Sequence, residues 1–104
     1  MRIRRQGDIA LIERKSIPAT AKQQIVTDRI VLAYGEVTGH AHAIHDIDAV
    51  DVFVGENGEM YLKVKGPASL RHEEHGAIAL EPGRIYERRI QVEYTPEAIR
   101  SVAD

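Results

Sequence analysis

The sequence has no cysteine and no tryptophan, and it has a single phenylalanine. Without cysteine there is no disulfide framework, and thiolate ligation of zinc or of an iron–sulfur cluster is excluded. Long apolar runs are also missing: a run such as Ile30–Tyr34 is far shorter than the roughly 20 residues of a membrane-spanning helix. No apolar segment follows the N-terminal arginines, so we expect neither a signal peptide nor a membrane anchor. We expect a cytoplasmic protein.

Neither sign of charge dominates. Fourteen lysines and arginines stand against 16 aspartates and glutamates, for a net charge of −2 and an isoelectric point near 6.2. This balance lacks the basic excess of a dedicated nucleic-acid binder, so we expect no nucleic-acid partner. The hydrophobic share of 43% is too high for a disordered chain. We therefore expect one folded domain over residues 1–104.

The apolar residues alternate with a period of two, which is typical of strands. The clearest hairpin joins Ala49–Val54 to Glu59–Lys65 through Asn57-Gly58, a pair suited to the positive φ angles of tight turns. The pattern predicts an all-β fold, either an antiparallel β-sandwich or a small β-roll or barrel. Further strands are predicted at Asp8–Glu13, Arg29–Tyr34, Ala68–His72, Ala77–Leu80 and Arg84–Tyr94, and an extended run over Glu36–Ile44.

Two segments do not follow the strand pattern. The polar stretch Ala19–Asp28 predicts a loop. The C-terminal segment predicts a short helix over about 96–103, because Thr95 can cap its N-terminus and Pro96 suits the first helical position.

All five histidines fall in two short windows. The first window contains His40, His42 and His45, and the second contains His72 and His75. Because side chains alternate along a strand, His40 and His42 should share one face while His45 lies on the other. Two imidazoles about 7 Å apart on one face can converge on one ion, since each metal–nitrogen bond is roughly 2 Å long.

The second window reads His72-Glu73-Glu74-His75 and lies in a predicted turn. If this turn folds over the first window, three or four imidazoles meet, with two carboxylates beside them. We expect a divalent metal ion, zinc first, with iron, manganese or nickel as alternatives. A polar histidine network without metal, or a coincidence of sequence, remains the competing interpretation. The predicted ligands are His40, His42, His72 and His75, and His45 is not expected to bind the metal directly.

One segment resembles the first cupin motif. It reads GEVTGHAH over Gly35–His42 and is followed by Asp46, whereas that motif has a glycine, then His-x-His, then an acidic ligand. The spacing is one residue short, and an aspartate stands where glutamate is usual. The resemblance implies a cupin-like β-roll or barrel that binds a metal.

A second segment, GAIALEPG over Gly76–Gly83, resembles the second cupin motif around its Pro-x-Gly turn, although the intervening residue is missing. Cupins place their last histidine ligand after this turn. No histidine follows it here, so His72 or His75 would have to replace that ligand. The GEVTGHAH and HEEHG segments are also similar to those of small uncharacterised bacterial and phage proteins, a likeness that implies no activity.

Three functions fit a multi-histidine metal site. In a metal-dependent hydrolase, lyase or hydratase acting on a small polar substrate, metal-bound water reacts and Glu73 or Glu74 moves the proton. In a metal- or ligand-binding module, protein atoms fill every coordination position. In a structural protein, the site joins the chains of an oligomer. We expect a homo-oligomer, a dimer first, because a small β domain has strand edges that must be covered.

Overall fold

The computed structural model describes residues 3–34 and 39–90. Strands dominate this part of the chain, with one short 3₁₀ turn at Ile47–Ala49. No helix within these residues is long and apolar enough to cross a membrane. The strands are β1 (Ile3–Gln6), β2 (Ile9–Arg14), β3 (Lys22–Gln24), β4 (Ile30–Tyr34), β5 (Ala41–Ile44), β6 (Val50–Val54), β7 (Met60–Val64), β8 (Ala68–Arg71), β9 (Ile78–Leu80) and β10 (Ile85–Ile90).

The strands form two antiparallel sheets. The six-stranded sheet has the order β1-β2-β10-β7-β6-β3, and the four-stranded sheet has the order β4-β5-β8-β9. Every strand pair is antiparallel. The predicted all-β antiparallel fold is therefore confirmed, and the two-sheet arrangement is that of a sandwich.

The hydrophobic core lies between the two sheets. Leu11 and Leu62 of the larger sheet and Ile44 and Leu70 of the smaller one have no exposed surface. Burying each such side chain stabilises the fold by about 1.5–3 kcal/mol. The other members of this core are Ile9, Ile30, Leu32, Val50, Val52, Val64, Ala68, Leu80 and Tyr86.

The predicted hairpin is present as β6 and β7, which pair from Val50↔Val64 to Val54↔Met60. Gly58 has φ +84°, so the turn uses the left-handed backbone conformation that its Asn-Gly sequence predicts. The alternating valines of β6 contribute Val50 and Val52 to the core. Local turn chemistry and hydrophobic periodicity agree here, and the hairpin follows from both.

The predicted loop at Ala19–Asp28 is wrong in part, because it contains β3, which pairs with the outer edge of β6. All three residues of β3 are exposed. An exposed edge strand has no apolar face, so hydrophobic periodicity cannot reveal it.

Some strands, such as β8 and β9, are also shorter in the structure than in the sequence-based prediction. Of the extended run predicted over Glu36–Ile44, the part at 39–44 is described, and its strand begins at Ala41; residues 36–38 lie outside the described residues. The long C-terminal strand is described over Ile85–Ile90. The predicted helix over 96–103 and the predicted strand end at 91–94 lie outside the described residues.

One strand and two connecting segments bring the site together. Strand β5 lies between β4 and β8, so it is an interior strand of the smaller sheet. The segment 72–77 joins β8 to β9 next to the start of β5. The β1–β2 turn at Gly7 and Asp8 approaches from the larger sheet, where β1 lies beside β9. Residues far apart in sequence therefore meet at one end of the sandwich.

Candidate metal centre

Four imidazole rings meet where the 72–77 segment crosses the start of β5. The His72 ring is central: its centroid lies 4.3 Å from that of His42, 4.7 Å from that of His75 and 5.7 Å from that of His40. The His42 and His75 rings are stacked at 5.8 Å. The pairing of β5 with β8 produces this meeting, because it carries the segment after Arg71 back over the His-x-His strand.

His42 is the most buried of the four histidines, with 2% of its surface exposed. Its Nδ1 lies 2.9 Å from Oε1 of Gln6. The Gln6 amide nitrogen donates to the carbonyl oxygens of Leu70 and Gly76, each at 2.9 Å. Because the amide nitrogen is committed to two acceptors, the amide oxygen faces His42, and Nδ1 of His42 must carry the hydrogen.

The other ring nitrogen of His42 faces an acid. Its Nε2 lies 3.3 Å from Oδ1 of Asp8, a residue of the β1–β2 turn. Burial lowers the pKa of His42 below its ordinary value of 6.5, and the nearby His72 and His75 lower this pKa further, while Asp8 raises it. Burial has the largest effect, so the neutral ring is favoured near neutral pH.

His40 differs from His42 because its Nδ1 is buried and has no hydrogen-bond partner among the described residues. Among the described residues, the acid nearest to this atom is Glu74, whose Oε1 lies 3.8 Å away, which is too long for a hydrogen bond. A buried polar atom without a partner is costly, by about 1–3 kcal/mol. Such an atom in a cluster of metal-binding side chains is a candidate ligand.

His72 and Glu73 complete a group with His40. Nδ1 of His72 accepts a hydrogen bond of 3.0 Å from the backbone N–H of Glu74. One carboxylate oxygen of Glu73 accepts a hydrogen bond of 3.0 Å from the backbone N–H of Ala41. This bond lowers the pKa of Glu73, and the residue's own N–H adds to the effect, so the carboxylate is ionised.

Three donor atoms lie within 4.8 Å of one another: one from His40, one from His72 and one from Glu73. Over residues 3–34 and 39–90, this is the one group of three or more metal-binding side chains that meets this distance. Two imidazoles and one carboxylate are a donor set that zinc accepts at catalytic sites, where a further coordination position stays open. These residues therefore fit a divalent transition metal.

A shallow cavity of about 300 Å³ adjoins this group. His72 and Glu73 form part of its wall, and His45, Arg29 and Arg71 form another part. His45 is exposed and lies on the cavity wall. The cavity places cationic side chains beside the candidate ligands, an arrangement that suits an anionic group.

The structure brings together all four histidines that the sequence predicts as ligands. It does not place them equally, because His40 and His72 share a donor group with Glu73, whereas both nitrogens of His42 face other side chains. His75 contacts the rings of His42 and His72. Glu74, a predicted proton-transfer residue, is exposed and lies beside His40.

Sequence reasoning missed Gln6 and Asp8. Both lie at the β1–β2 turn, more than 30 residues before His42 along the chain, and neither belongs to a recognisable motif. Asp46, aligned with the acidic cupin ligand, instead accepts a hydrogen bond of 3.0 Å from the backbone of Ser69. One available signal for the turn was Gly7-Asp8, a pair that favours a hairpin between two strands.

The fold and the site define a class: a two-sheet antiparallel β protein with a histidine–carboxylate cluster at one end. The family model described as Domain of unknown function (DUF8820) matches residues 5–91. The chain belongs to this family. No curated protein and no solved structure matches the chain, so the resemblance to cupins stays a prediction.

Proposed function

We propose that the protein binds a divalent transition metal, zinc first, through His40, His72 and Glu73. The observation that carries this proposal is the approach of their donor atoms to within 4.8 Å of one another, next to a His40 nitrogen that has no hydrogen-bond partner among the described residues. A bound cation would satisfy that nitrogen and would be partly neutralised by the carboxylate.

To bind one ion, the donor atoms of the three residues must move slightly closer together. Two ligands at about 2.1 Å from a tetrahedral ion lie roughly 3.4 Å apart, so separations of up to 4.8 Å must shorten by about 1.4 Å. Glu73 is exposed and lies in a turn, so its side chain can move. If His72 ligates through Nε2, its Nδ1 keeps the hydrogen bond from the Glu74 N–H; ligation through Nδ1 would displace that N–H at a cost of about 1 kcal/mol. Apparent binding energies of structural zinc sites are about 10–16 kcal/mol, so this cost does not prevent binding.

The donor set favours an open site over a closed one. Three protein ligands leave a position for water or substrate, and a divalent ion there activates water and polarises a carbonyl or phosphoryl oxygen. The cavity of about 300 Å³ beside His72 and Glu73 offers Arg29 and Arg71 to a substrate. We infer a metal-dependent hydrolase, lyase or hydratase whose small substrate carries a carboxylate or phosphate.

Glu74 is the side chain that this function assigns to proton transfer. Its carboxylate lies 3.8 Å from His40 and has 61% of its surface exposed, so it can exchange protons with solvent. Glu73 is less suited to that role, since one of its oxygens accepts a hydrogen bond from the Ala41 N–H and its negative charge would be needed to bind the metal. The two neighbouring glutamates therefore have different tasks.

A homodimer is the assembly we propose. Strand β1 lies at the edge of the larger sheet and leaves Ile3 51% exposed. Exposed apolar residues on an edge strand favour pairing with a second chain. The mass in solution tests this assembly independently of metal binding.

The metal site is tested with Glu73→Gln, and Glu56→Gln is the matched control. The protein is purified without a histidine tag, and its zinc, iron, manganese and nickel are measured by elemental analysis. Glutamine keeps an oxygen for the Ala41 N–H but removes the charge, so Glu73→Gln should lose about one ion per chain at this site. Glu56 is exposed in the β6–β7 turn, and its variant should keep the wild-type metal content.

Two results would refute the metal site. One is a wild-type protein that binds none of these metals after incubation and dialysis. The other is equal metal content in Glu73→Gln and Glu56→Gln. If metal is bound, screening carboxylate and phosphate substrates with Glu74→Gln tests the reaction: that variant should keep its metal and lose turnover.

A further inference from the structure

The outer face of the larger sheet has a feature in which the histidine cluster takes no part. Leu62 and Val64 of β7 belong to the core, so Tyr61 and Lys63 of the same strand point away from it. Tyr61 nevertheless has only 5% of its surface exposed. A tyrosine on the outer face of a sheet is shielded to this extent by its neighbours and by chain that lies over the face.

The segment 15–21 borders this face. It joins β2 to β3, which are separated by β10, β7 and β6 in the larger sheet. Two adjoining cavities are lined both by this segment and by the sheet, and they share Lys15, Ser16 and Pro18. Together they form the outer-face cavity. Its sheet side consists of outward-facing residues, among them Tyr61, Phe53, Lys63 and Ile85.

The outer-face cavity has the size of a small-molecule site. Its two parts have volumes of about 610 and 400 Å³, within the range of roughly 300–1,000 Å³ that is usual for small ligands. The walls include the ring of Phe53, the ring of Pro18 and the side chain of Ile85. Aromatic rings prefer to pack against other flat rings, so these walls suit a flat apolar body.

The hydroxyl of Tyr61 is available to a ligand. Tyr61 lines the larger part of the cavity, and its hydroxyl has no hydrogen-bond partner among the described residues. The hydroxyl of Tyr86, by contrast, accepts a hydrogen bond of 3.4 Å from the backbone N–H of Glu81. Buried tyrosines usually satisfy this group. The oxygen of Tyr61 is accessible rather than completely buried, so a molecule in the cavity can reach it.

Two lysines give the outer-face cavity an unpaired positive charge. Lys15 lines both of its parts and Lys63 lines the smaller one. Neither lysine forms an ion pair with a described residue. Asp51 is the cross-strand neighbour of Lys63, but its carboxylate lies 3.0 Å from the ammonium of Lys65. Both cavity lysines are therefore free to bind an anion.

The other charged groups of the cavity wall have partners. The carboxylate of Glu13 lies 2.7 Å from the guanidinium of Arg84. The guanidinium of Arg14 lies 2.8 Å from the carboxylate of Glu87. These pairs neutralise each other, so the charge that remains in the cavity is positive. An anionic group complements it.

We propose that the outer-face cavity binds a small aromatic carboxylate. Its ring packs against Phe53 and Pro18. Its carboxylate pairs with Lys15 and Lys63 and accepts a hydrogen bond from the Tyr61 hydroxyl. This site shares no residue with the His40–His72–Glu73 group or with the cavity beside it, so it is independent of the proposed metal centre.

The test is a titration of the full-length protein with naphthoate in the presence of a chelator, followed by backbone proton–nitrogen NMR spectra. Naphthamide has the same ring without the charge, and acetate has the charge without the ring. Tyr61→Phe removes only the hydroxyl, and Lys63→Met removes the charge but keeps an apolar side chain. Lys22→Met is the matched control, because Lys22 is exposed on β3 and lines neither part of the cavity.

We expect naphthoate to shift the amide signals of residues 15–21, Tyr61 and Lys63 in a saturable way, and to bind more tightly than naphthamide or acetate. Lys63→Met should weaken naphthoate binding by about fivefold, the upper end of what an exposed ion pair contributes, and leave naphthamide binding unchanged. Tyr61→Phe should weaken naphthoate binding and leave the free energy of unfolding unchanged, because its hydroxyl has no internal hydrogen bond to lose. Lys22→Met should bind as wild type does.

Four results would overturn this site. Naphthoate could cause no saturable shift over 15–21 and at Tyr61, or it could bind no more tightly than naphthamide or acetate. Lys63→Met could bind naphthoate as well as Lys22→Met does, or Tyr61→Phe as well as wild type does. Shifts confined to Arg29, Arg71 and His72 would assign the anion to the candidate metal centre, which refutes this site and leaves the proposed function standing.

Discussion

Gln6 is the side chain on which the arrangement of the cluster depends most, and its replacement gives a quantitative prediction. Gln6 is 3% exposed and makes three hydrogen bonds: with His42, with the Leu70 carbonyl and with the Gly76 carbonyl. Gln6→Met has nearly the same shape and removes all three. Its effect on stability therefore measures the polar network rather than packing.

The loss of stability expected for Gln6→Met depends on which of the three hydrogen-bond partners stay buried. The bonds to His42 and to Leu70 are buried, so each of those partners loses its hydrogen bond without gaining water. The bond to Gly76 is only partly buried, and water can replace it. At about 1–3 kcal/mol for each buried group left without a partner, we expect a loss near 3 kcal/mol. For a domain of this size, that lowers the melting temperature by roughly 12–24 °C.

The measurement is urea and thermal unfolding at pH 7.5 with a chelator present, so that metal binding does not contribute. Gln23→Met is the matched control, because Gln23 is exposed on β3, and it should change stability by less than about 0.5 kcal/mol. A loss for Gln6→Met no larger than that for Gln23→Met would refute the network and the tautomer that it assigns to His42.

Two further predictions concern the same turn and the same ring. Gly7→Ala should destabilise the protein by about 1–2 kcal/mol, because Gly7 has φ +58° and an added Cβ would lie 2.8 Å from His75. Gly76→Ala is the control in the same unfolding assay, because a Cβ added there would meet open space. Stability of the metal-free protein should fall as the pH drops below about 6.5, because the pKa of His42 is lowered in the folded state and the unfolded chain binds the proton first. His42→Gln should flatten that dependence, and an unchanged slope would contradict the assigned cause.

The part of the fold that could be predicted is the part governed by alternation and turn chemistry. The β6–β7 hairpin follows from its valines and from Asn57-Gly58. The edge strand β3 could not be predicted, since its exposed residues carry no hydrophobic pattern. The order of strands within each sheet was also out of reach. The placement of β10 between β2 and β7 depends on long-range packing that no local window contains.

The candidate site could likewise be predicted only in part. Clustering in sequence identified the four histidines, because His-x-His on a strand fixes which rings share a face. It could not show that His42 would be buried against Gln6 while His40 would keep a nitrogen without a partner. That difference arises from the β1–β2 turn, which belongs to the other sheet. The assignment of Glu73 rather than Glu74 to the donor group likewise depends on the Ala41 N–H.

The cluster therefore has a fixed half and an adaptable half. His42 is buried within β5, and the fold sets its tautomer through Gln6 before any ion arrives. Glu73 and Glu74 lie in an exposed turn, where side chains can close around an ion at little cost. In the proposed site, Glu73 is the ligand whose side chain would move to bind an ion, and a small reorganisation leaves more of the interaction energy as affinity. His42 is the ring that a strand holds, whereas His72 and His75 belong to the same segment as Glu73 and Glu74 and pack against His42, so closure around an ion would move this segment against a fixed ring.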